Sequence, residues 1–202
     1  MTTAPETRRR GRPGHDIESV LAASVEAFIE HGYDATSIDD LARRLGISKS
    51  AVYHHVPSKD ALLGLALDRA LTALEEVAED VRRVDAPAID RLEMLVRNSV
   101  RILVDRLPYV TLLVRVHGNS EIERRALIRR RQLDQFGAEL VREAIAQGDL
   151  RPDVEPVVTT RLLFGMVNSL TEWLRPGSGH DGARLADAVA GLVFEGLRYH
   201  AD

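Results

Sequence analysis

A short segment of the chain carries four side chains that suit contact with a polyanion: Lys49, Ser50, Tyr53 and His54. They provide an ammonium, a hydroxyl, a phenol and an imidazole, all of which form hydrogen bonds. The segment is bounded by Gly46 and Pro57, which limit it to about two helical turns. A helix of this length fits the major groove of B-DNA, where base edges are read.

Two short helices joined by a tight turn are predicted to position these groups. Ser37 is followed three residues later by Asp40, which is the pattern of a helix N-terminal cap, and Gly46 ends that helix. Ser48 caps the second helix, which Pro57 closes. The apolar residues of both helices fall on one face, so the four polar side chains point outward. The alternative is a structural hairpin whose polar face is only solvated.

Groups beside the hairpin favour DNA binding. Thr36 and Ser37 stand at a helix N-terminus, where amides and hydroxyls bind phosphate. Lys59 falls in the first turn of the next helix, where a cation opposes the helix dipole unless an anion neutralises it.

Residues 1–14 form a basic arm. A flexible Arg-Gly-Arg-Pro segment can enter a narrow A·T minor groove, where the potential is strongly negative. A tail with solvated charges is the alternative. The arginines of the arm that we consider for DNA contact are Arg8, Arg9, Arg10 and Arg12.

The composition is that of an ordinary globular protein. The chain has 202 residues, a formal net charge of −4, 45% hydrophobic residues and no cysteine, which excludes disulfides and thiolate metal ligands. No apolar run approaches the roughly 18 residues that span a bilayer, so we expect no membrane partner. A cytoplasmic location is expected.

Helical spacing of apolar residues dominates the chain and predicts an all-α fold. We expect a flexible basic arm over 1–14, a three-helix DNA-binding domain over 15–62 with its helix-turn-helix at about 37–56, and a larger helical domain over 63–202. The last two helices are predicted at about 156–174 and 181–199.

The block from residue 27 to residue 63, AFIEHGYDATSIDDLARRLGISKSAVYHHVPSKDALL, resembles the TetR family of bacterial transcriptional regulators. Gly32-Tyr33, Thr36-Ser37, Leu41-Ala42, Gly46-Ile47-Ser48 and the segment from Tyr53 to Asp60 all have the family's spacing. A match of more than thirty residues is far more specific than a single short motif.

The resemblance implies roles for individual residues. Thr36, Ser37, Tyr53, His54 and Lys59 would hold phosphates, and Lys49, Ser50 and Ala51 would approach base edges. Ala51 stands where the family often has Thr or Ser, which leaves less polar readout there. Val56 stands where an aromatic residue is common, which affects packing more than DNA contact.

The resemblance also implies a homodimer that is formed through the last two helices, because a two-fold operator needs two reading heads about 34–36 Å apart. It implies a repressor that a small molecule releases from DNA. Packing of these helices within one subunit is the alternative.

Four residues interrupt apolar stretches of the larger domain and are candidate effector contacts: His117, Asn168, Glu172 and Trp173. Each could instead be a core or interface residue. The stretch from Leu163 to Gly177 is similar to a TetR subgroup that senses acyl-CoA thioesters, which suggests a hydrophobic effector.

Enzymatic chemistry is not indicated. The chain lacks GxSxG, HExxH and a glycine-rich phosphate loop, and its histidines are scattered or adjacent, so we expect no catalytic residues, metal or cofactor. The alternative function is a helical ligand-binding or enzyme domain whose hairpin is only structural.

Overall fold

The computed structural model describes residues 16–177 and 179–197, which are helical without any strand. This confirms the predicted all-α class. The helices are α1 (Ile17–His31), α2 (Ile38–Leu45), α3 (Lys49–His55), α4 (Lys59–Arg83), α5 (Ala88–Asp105), α6 (Leu107–Val114), α7 (Glu121–Gln147), α8 (Pro156–Trp173) and α9 (Gly182–Leu197).

The ends of the first helices are set by the capping residues that the sequence predicts. Ser37 and Asp40 form a reciprocal capping box at the start of α2. Gly46 then adopts the left-handed conformation, with φ 66° and ψ 31°, and its backbone turns the chain from α2 towards α3. The Ser48 hydroxyl accepts a hydrogen bond from the Ala51 amide at 3.1 Å and starts α3.

Helix α4 joins the two parts of the molecule. It packs against α1 and α6 and, in the larger domain, against α5 and α7. Leucines along it, including Leu62 and Leu63, are buried. Side chains along one face of the helix are fully buried, so α4 is a rigid link between the helix-turn-helix and the larger helical domain.

In the larger domain α5 lies at the centre, with α9 packed on it and α8 packed mainly on α7. Gly137 allows the close contact of α7 and α8. A Cβ atom at this position would lie 2.8 Å from Cγ2 of Thr160 and 3.1 Å from the ring of Phe164, which is too close for any larger residue without movement.

Among the described residues, no helix combines the length and hydrophobicity needed to cross a bilayer. In the same ranges, no three histidine or acidic side chains are grouped as a metal ion would require.

Candidate nucleic-acid interface and effector cavity

Helix α3 exposes the four polar side chains that the sequence places outward: Lys49, Ser50, Tyr53 and His54. Val52 is completely buried on the opposite face and anchors the helix to the core. Ala51 is half-buried at the edge of the exposed surface. A short polar helix that is supported from behind by a rigid core has the geometry of a recognition helix.

An ion pair links the two helices of the hairpin. The Lys49 ammonium donates to Oδ2 of Asp39 at 2.8 Å. This hydrogen bond raises the pKa of Lys49, so its charged form is favoured. The exposed surface of the hairpin therefore combines a cation at the start of α3 with the carboxylate of Asp39.

Thr36 is placed differently from the expectation of a phosphate contact. Its side chain is buried, and its hydroxyl donates to the Gly32 carbonyl oxygen at 2.8 Å. The Thr36 amide also donates, to the carbonyl oxygen of Tyr33. Because both groups have internal partners, Thr36 shapes the turn before α2. The expected contact of its hydroxyl with phosphate stays a prediction.

Lys59 is partly buried beneath the same turn. Its ammonium donates to the carbonyl oxygens of Tyr33 and Thr36, both at 2.9 Å, and lies 4.2 Å from the centre of the Tyr33 ring. Tyr33 in turn donates to Asp60 through its hydroxyl, and burial together with this carboxylate raises the pKa of Tyr33. Two of the three ammonium donors of Lys59 thus hold the turn, and one is left for an external acceptor.

Ser37 is exposed, but its groups serve the capping box. Its amide donates to Oδ2 of Asp40 at 3.0 Å, and its hydroxyl lies 2.6 Å from the same oxygen. Contact between Ser37 and a phosphate would have to share these groups with Asp40. The arginines predicted to contact DNA from the arm, Arg8, Arg9, Arg10 and Arg12, lie outside the described residues.

A narrow cavity lies between α4, α5, α6, α7 and α8. The cavity has a volume of about 60 Å³ and is partly open to solvent. The walls are mainly apolar. Polar groups enter from Ser99 on α5, Arg130 and Asp134 on α7, and Asn168 on α8.

The polar groups of the cavity differ in whether they have a hydrogen-bond partner within the protein. The Ser99 hydroxyl donates to the Leu95 carbonyl oxygen at 2.7 Å. Burial raises the pKa of Asp134, an effect that Arg130 and Arg161 oppose through their charges. Within residues 16–177 and 179–197, neither Arg130 nor Asp134 has a hydrogen-bonded partner, so both remain available to a ligand.

Of the four candidate effector contacts, only Asn168 lines this cavity. Glu172 and Trp173 are exposed near the end of α8, and Trp173 stacks edge-on against His180, with 5.7 Å between ring centres. His117 is exposed beside a separate surface pocket near the end of α1. Glu172, Trp173 and His117 therefore do not line this cavity, because interruption of an apolar run does not reveal which face turns inward. Their contact with an effector stays a prediction.

The cavity residues Arg130 and Asp134 were not among the four candidate effector contacts. They are four residues apart and share one face of α7. Their spacing was a usable signal, but they lie in or beside an arginine-rich run that reads as a solvated helix face. Only the packing of α7 against α8 shows that this face borders a cavity.

The outer surfaces of α8 and α9 expose large apolar side chains. Leu162 on α8 is 68% exposed and Leu192 on α9 is 72% exposed, whereas Val189 and Val193 of α9 are buried. Around Gly165, a Cβ atom would meet no other atom within 4 Å. Exposed apolar surface on two helices is typical of a protein–protein interface.

The protein has an N-terminal helix-turn-helix with an exposed polar recognition helix. A long helix joins it to a larger helical domain. This architecture is that of a helix-turn-helix transcriptional regulator. The family model described as bacterial regulatory proteins of the tetR family matches residues 20–66. The model described as the tetracyclin repressor-like C-terminal domain matches residues 85–197. The chain belongs to the TetR family of transcriptional regulators.

Three similar proteins illustrate this relationship. The crystal structure of SCO3833, a TetR-family member from Streptomyces coelicolor A3, has 49% identity and a TM-score of 0.82, covering 98% of this chain and 96% of that one. The transcriptional repressor Rv3405c of Mycobacterium tuberculosis is 35% identical over 128 residues, which are 60% of this chain and 66% of that protein. AibR, solved with isovaleryl coenzyme A and operator DNA, has 26% identity and a TM-score of 0.73, covering 88% and 97%.

Proposed function

We propose that this regulator is a homodimeric repressor that binds a two-fold DNA operator and is released by a small apolar effector. The observation that carries the proposal is the exposed polar face of α3, which stands on a rigid, fully buried support. Binding to operator DNA would place the protein in the cytoplasm. We further propose a division into a basic arm over 1–14, a DNA-binding domain over 15–62 and an effector and dimerisation domain over 63–202.

The groups of α3 divide into two sets on the proposed interface. Lys49 and Ser50 lead the helix and are suited to base edges, with Ala51 beside them making an apolar contact. Tyr53 and His54 follow one turn later and are suited to phosphates. Ser37 and the free donor of Lys59 add phosphate contacts at the flank, while the turn around Thr36 fixes their position.

Dimerisation is supported by the exposed apolar surface of α8 and α9. Leu162 and Leu192 would be unfavourable in water unless a second copy covered them. Gly165 leaves open space beside Leu162, so another helix can approach closely. A closed two-fold dimer then presents two copies of α3 about one DNA turn, roughly 34–36 Å, apart.

The cavity supports an effector that is mainly apolar with one polar group. Apolar side chains from five helices form its walls, and Arg130, Asp134 and Asn168 supply a small number of polar contacts. The narrow space must widen to admit such a ligand. Because Leu74 of α4 lines the cavity, widening displaces the helix that leads to the recognition elements.

An acyl-CoA thioester is our proposed effector class. AibR, whose structure was determined with isovaleryl coenzyme A and operator DNA, supports this choice through its similarity of fold and sequence. The apolar walls suit an acyl chain, while the larger polar portion of the ligand would extend through the open end. A ligand that favours a mismatched spacing of the reading heads by 1–3 kcal/mol weakens DNA binding roughly 5–150-fold.

Selection of DNA from random fragments by the purified protein tests the DNA-binding proposal. We expect an enriched two-fold sequence whose affinity falls steeply with salt. Titration of the complex with acyl-CoA thioesters of increasing chain length then tests the effector. Recovery of no enriched sequence, together with salt-independent or absent binding, would favour the alternative of a helical ligand-binding domain with a structural hairpin.

A further inference from the structure

Lys49 and Asp39 form an ion pair at the start of the proposed recognition helix. Lys49 is the first residue of α3, and Asp39 lies in the first turn of α2. Their side chains are 50% and 57% exposed, and the ammonium donates to the carboxylate at 2.8 Å. The cation that leads the recognition helix is therefore held by an acid before any DNA is bound.

Asp39 is not needed to cap its own helix. The neighbouring Asp40 closes the capping box with Ser37 and also accepts a hydrogen bond from Arg43 at 3.0 Å. Among the described residues, Lys49 is the hydrogen-bonded partner of Asp39. The two acids of this turn therefore have separate partners: Asp40 caps α2, and Asp39 accepts a hydrogen bond from Lys49.

Stabilisation of the fold does not by itself account for the ion pair of Lys49 and Asp39. Ion pairs that are this exposed contribute only about 0–1 kcal/mol to folding. An acid at this place also repels the phosphates of any bound DNA and weakens binding of every sequence. A carboxylate that opposes DNA binding in general is useful if it opposes the wrong sequences more than the right one.

We infer that Asp39 is a specificity-determining residue of the DNA interface, which acts by holding Lys49 away from phosphates and towards base edges. The inference rests on the proposed DNA-binding function. A lysine is a point charge on a flexible stem, and on non-operator DNA its strongest available contact is a phosphate. To make that contact Lys49 must leave Asp39, which reduces the gain.

On the operator, Lys49 does not have to leave Asp39. An ammonium has three donors, so Lys49 can remain bonded to Asp39 and still donate to the O6 and N7 acceptors of a guanine in the major groove. The carboxylate thus lowers affinity for non-operator DNA more than for the operator.

The substitution Asp39→Asn tests this inference, with operator DNA taken from the selection experiment and a scrambled duplex of the same length. Non-operator affinity is expected to rise about three- to tenfold, because the freed ammonium gains one phosphate contact, and its salt slope to steepen by about one unit. Operator affinity should change less. The ratio of the two affinities therefore falls.

Asp80→Asn is the matched control. Asp80 pairs with Arg83 near the far end of α4, is 75% exposed, and its loss changes the net charge by the same amount. This variant should leave the affinity ratio unchanged. Both variants should unfold within a few degrees of the parent protein, because both pairs are exposed.

The double variant Asp39→Asn with Lys49→Met separates the mechanism from simple repulsion. If Asp39 acts through Lys49, adding Asp39→Asn to Lys49→Met leaves the affinity ratio unchanged. An equal rise in affinity for operator and scrambled DNA, or an effect that persists without Lys49, would overturn the inference while leaving the regulator function intact. Absence of any selected operator would instead contradict the proposed function itself.

Discussion

Arg129 on α7 forms a two-pronged ion pair with Glu75 on α4. Its Nε and Nη2 atoms donate to the two carboxylate oxygens of Glu75, each at 2.7 Å. Arg129 also pairs with Asp68, which lies two helical turns before Glu75 on α4. Arg129 directly precedes the cavity residue Arg130, and Leu74, next to Glu75, also lines the cavity. The pair therefore ties the cavity wall to the helix that carries the DNA-binding part.

We expect Glu75→Gln to reduce the coupling between effector and DNA by about 0.5–2 kcal/mol, since a residue between two sites can change coupling by this amount. Its cost in unfolding free energy should be about 1 kcal/mol, because the partly exposed pair is screened by water. DNA affinity measured with and without effector reports the coupling. Glu143→Gln, which removes the partner of Arg91 between α5 and α7, is the control. An equal loss of coupling in both variants would show that losing any ion pair in this domain reduces the coupling, without a specific role for Glu75.

Lys59→Met should weaken binding to operator and scrambled DNA by similar factors. The substitution keeps the aliphatic stem near the Tyr33 ring but removes the ammonium. We expect the salt slope to become shallower by about one unit, as the loss of one phosphate contact requires. Loss of the two bonds to the turn should also reduce stability by about 1–3 kcal/mol. An unchanged salt slope, measured on the folded variant, would leave Lys59 with a structural role only.

Asn168→Leu should blunt release from DNA by an acyl-CoA thioester, raising the required concentration about fivefold, because one hydrogen bond of about 1 kcal/mol to the ligand is lost. DNA affinity without ligand should be unchanged. Trp173→Leu is the matched control on the same helix, since Trp173 is half exposed and lies outside the cavity. Loss of the response in Trp173→Leu with a normal response in Asn168→Leu would show that the ligand binds elsewhere.

Leu162→Glu should convert the dimer into monomers and reduce operator affinity at least tenfold, because a charge would enter the buried interface and one reading head alone makes half the contacts. Sedimentation velocity reports the oligomeric state. Ile128→Glu is the control, since Ile128 is an exposed apolar residue on a different helix, α7. A dimer that survives Leu162→Glu would place the interface on another surface.

Asp134→Asn should raise stability at neutral pH, with the gain disappearing in acid. Burial raises the pKa of Asp134 above the ordinary value of 3.8, so the folded protein binds its proton more tightly than the unfolded chain. Its ionisation therefore lowers stability as the pH rises from about 3.8 through the raised pKa. Unfolding of both proteins across this pH range provides the measurement. A constant difference at all pH values would mean that packing, not ionisation, distinguishes them.

The sequence by itself determined the helices and the family. Caps such as Ser37 and Ser48, and the turn at Gly46, act within a few residues of themselves, so their effects are readable from local order. The outward face of α3 was predictable for the same reason, because helical spacing separates Val52 from its polar neighbours.

Tertiary structure alone decided which polar groups remain available to DNA or to a ligand. Thr36 and Lys59 meet the turn around residue 33 through the packing of α1 and α4, and this packing turns the Thr36 hydroxyl inward. In the same way, α7 and α8 pack so that Arg130, Asp134 and Asn168 border a cavity while Trp173 remains exposed. Helical spacing shows which residues share a face, but contacts between distant segments decide what that face meets, because they depend on how whole helices pack.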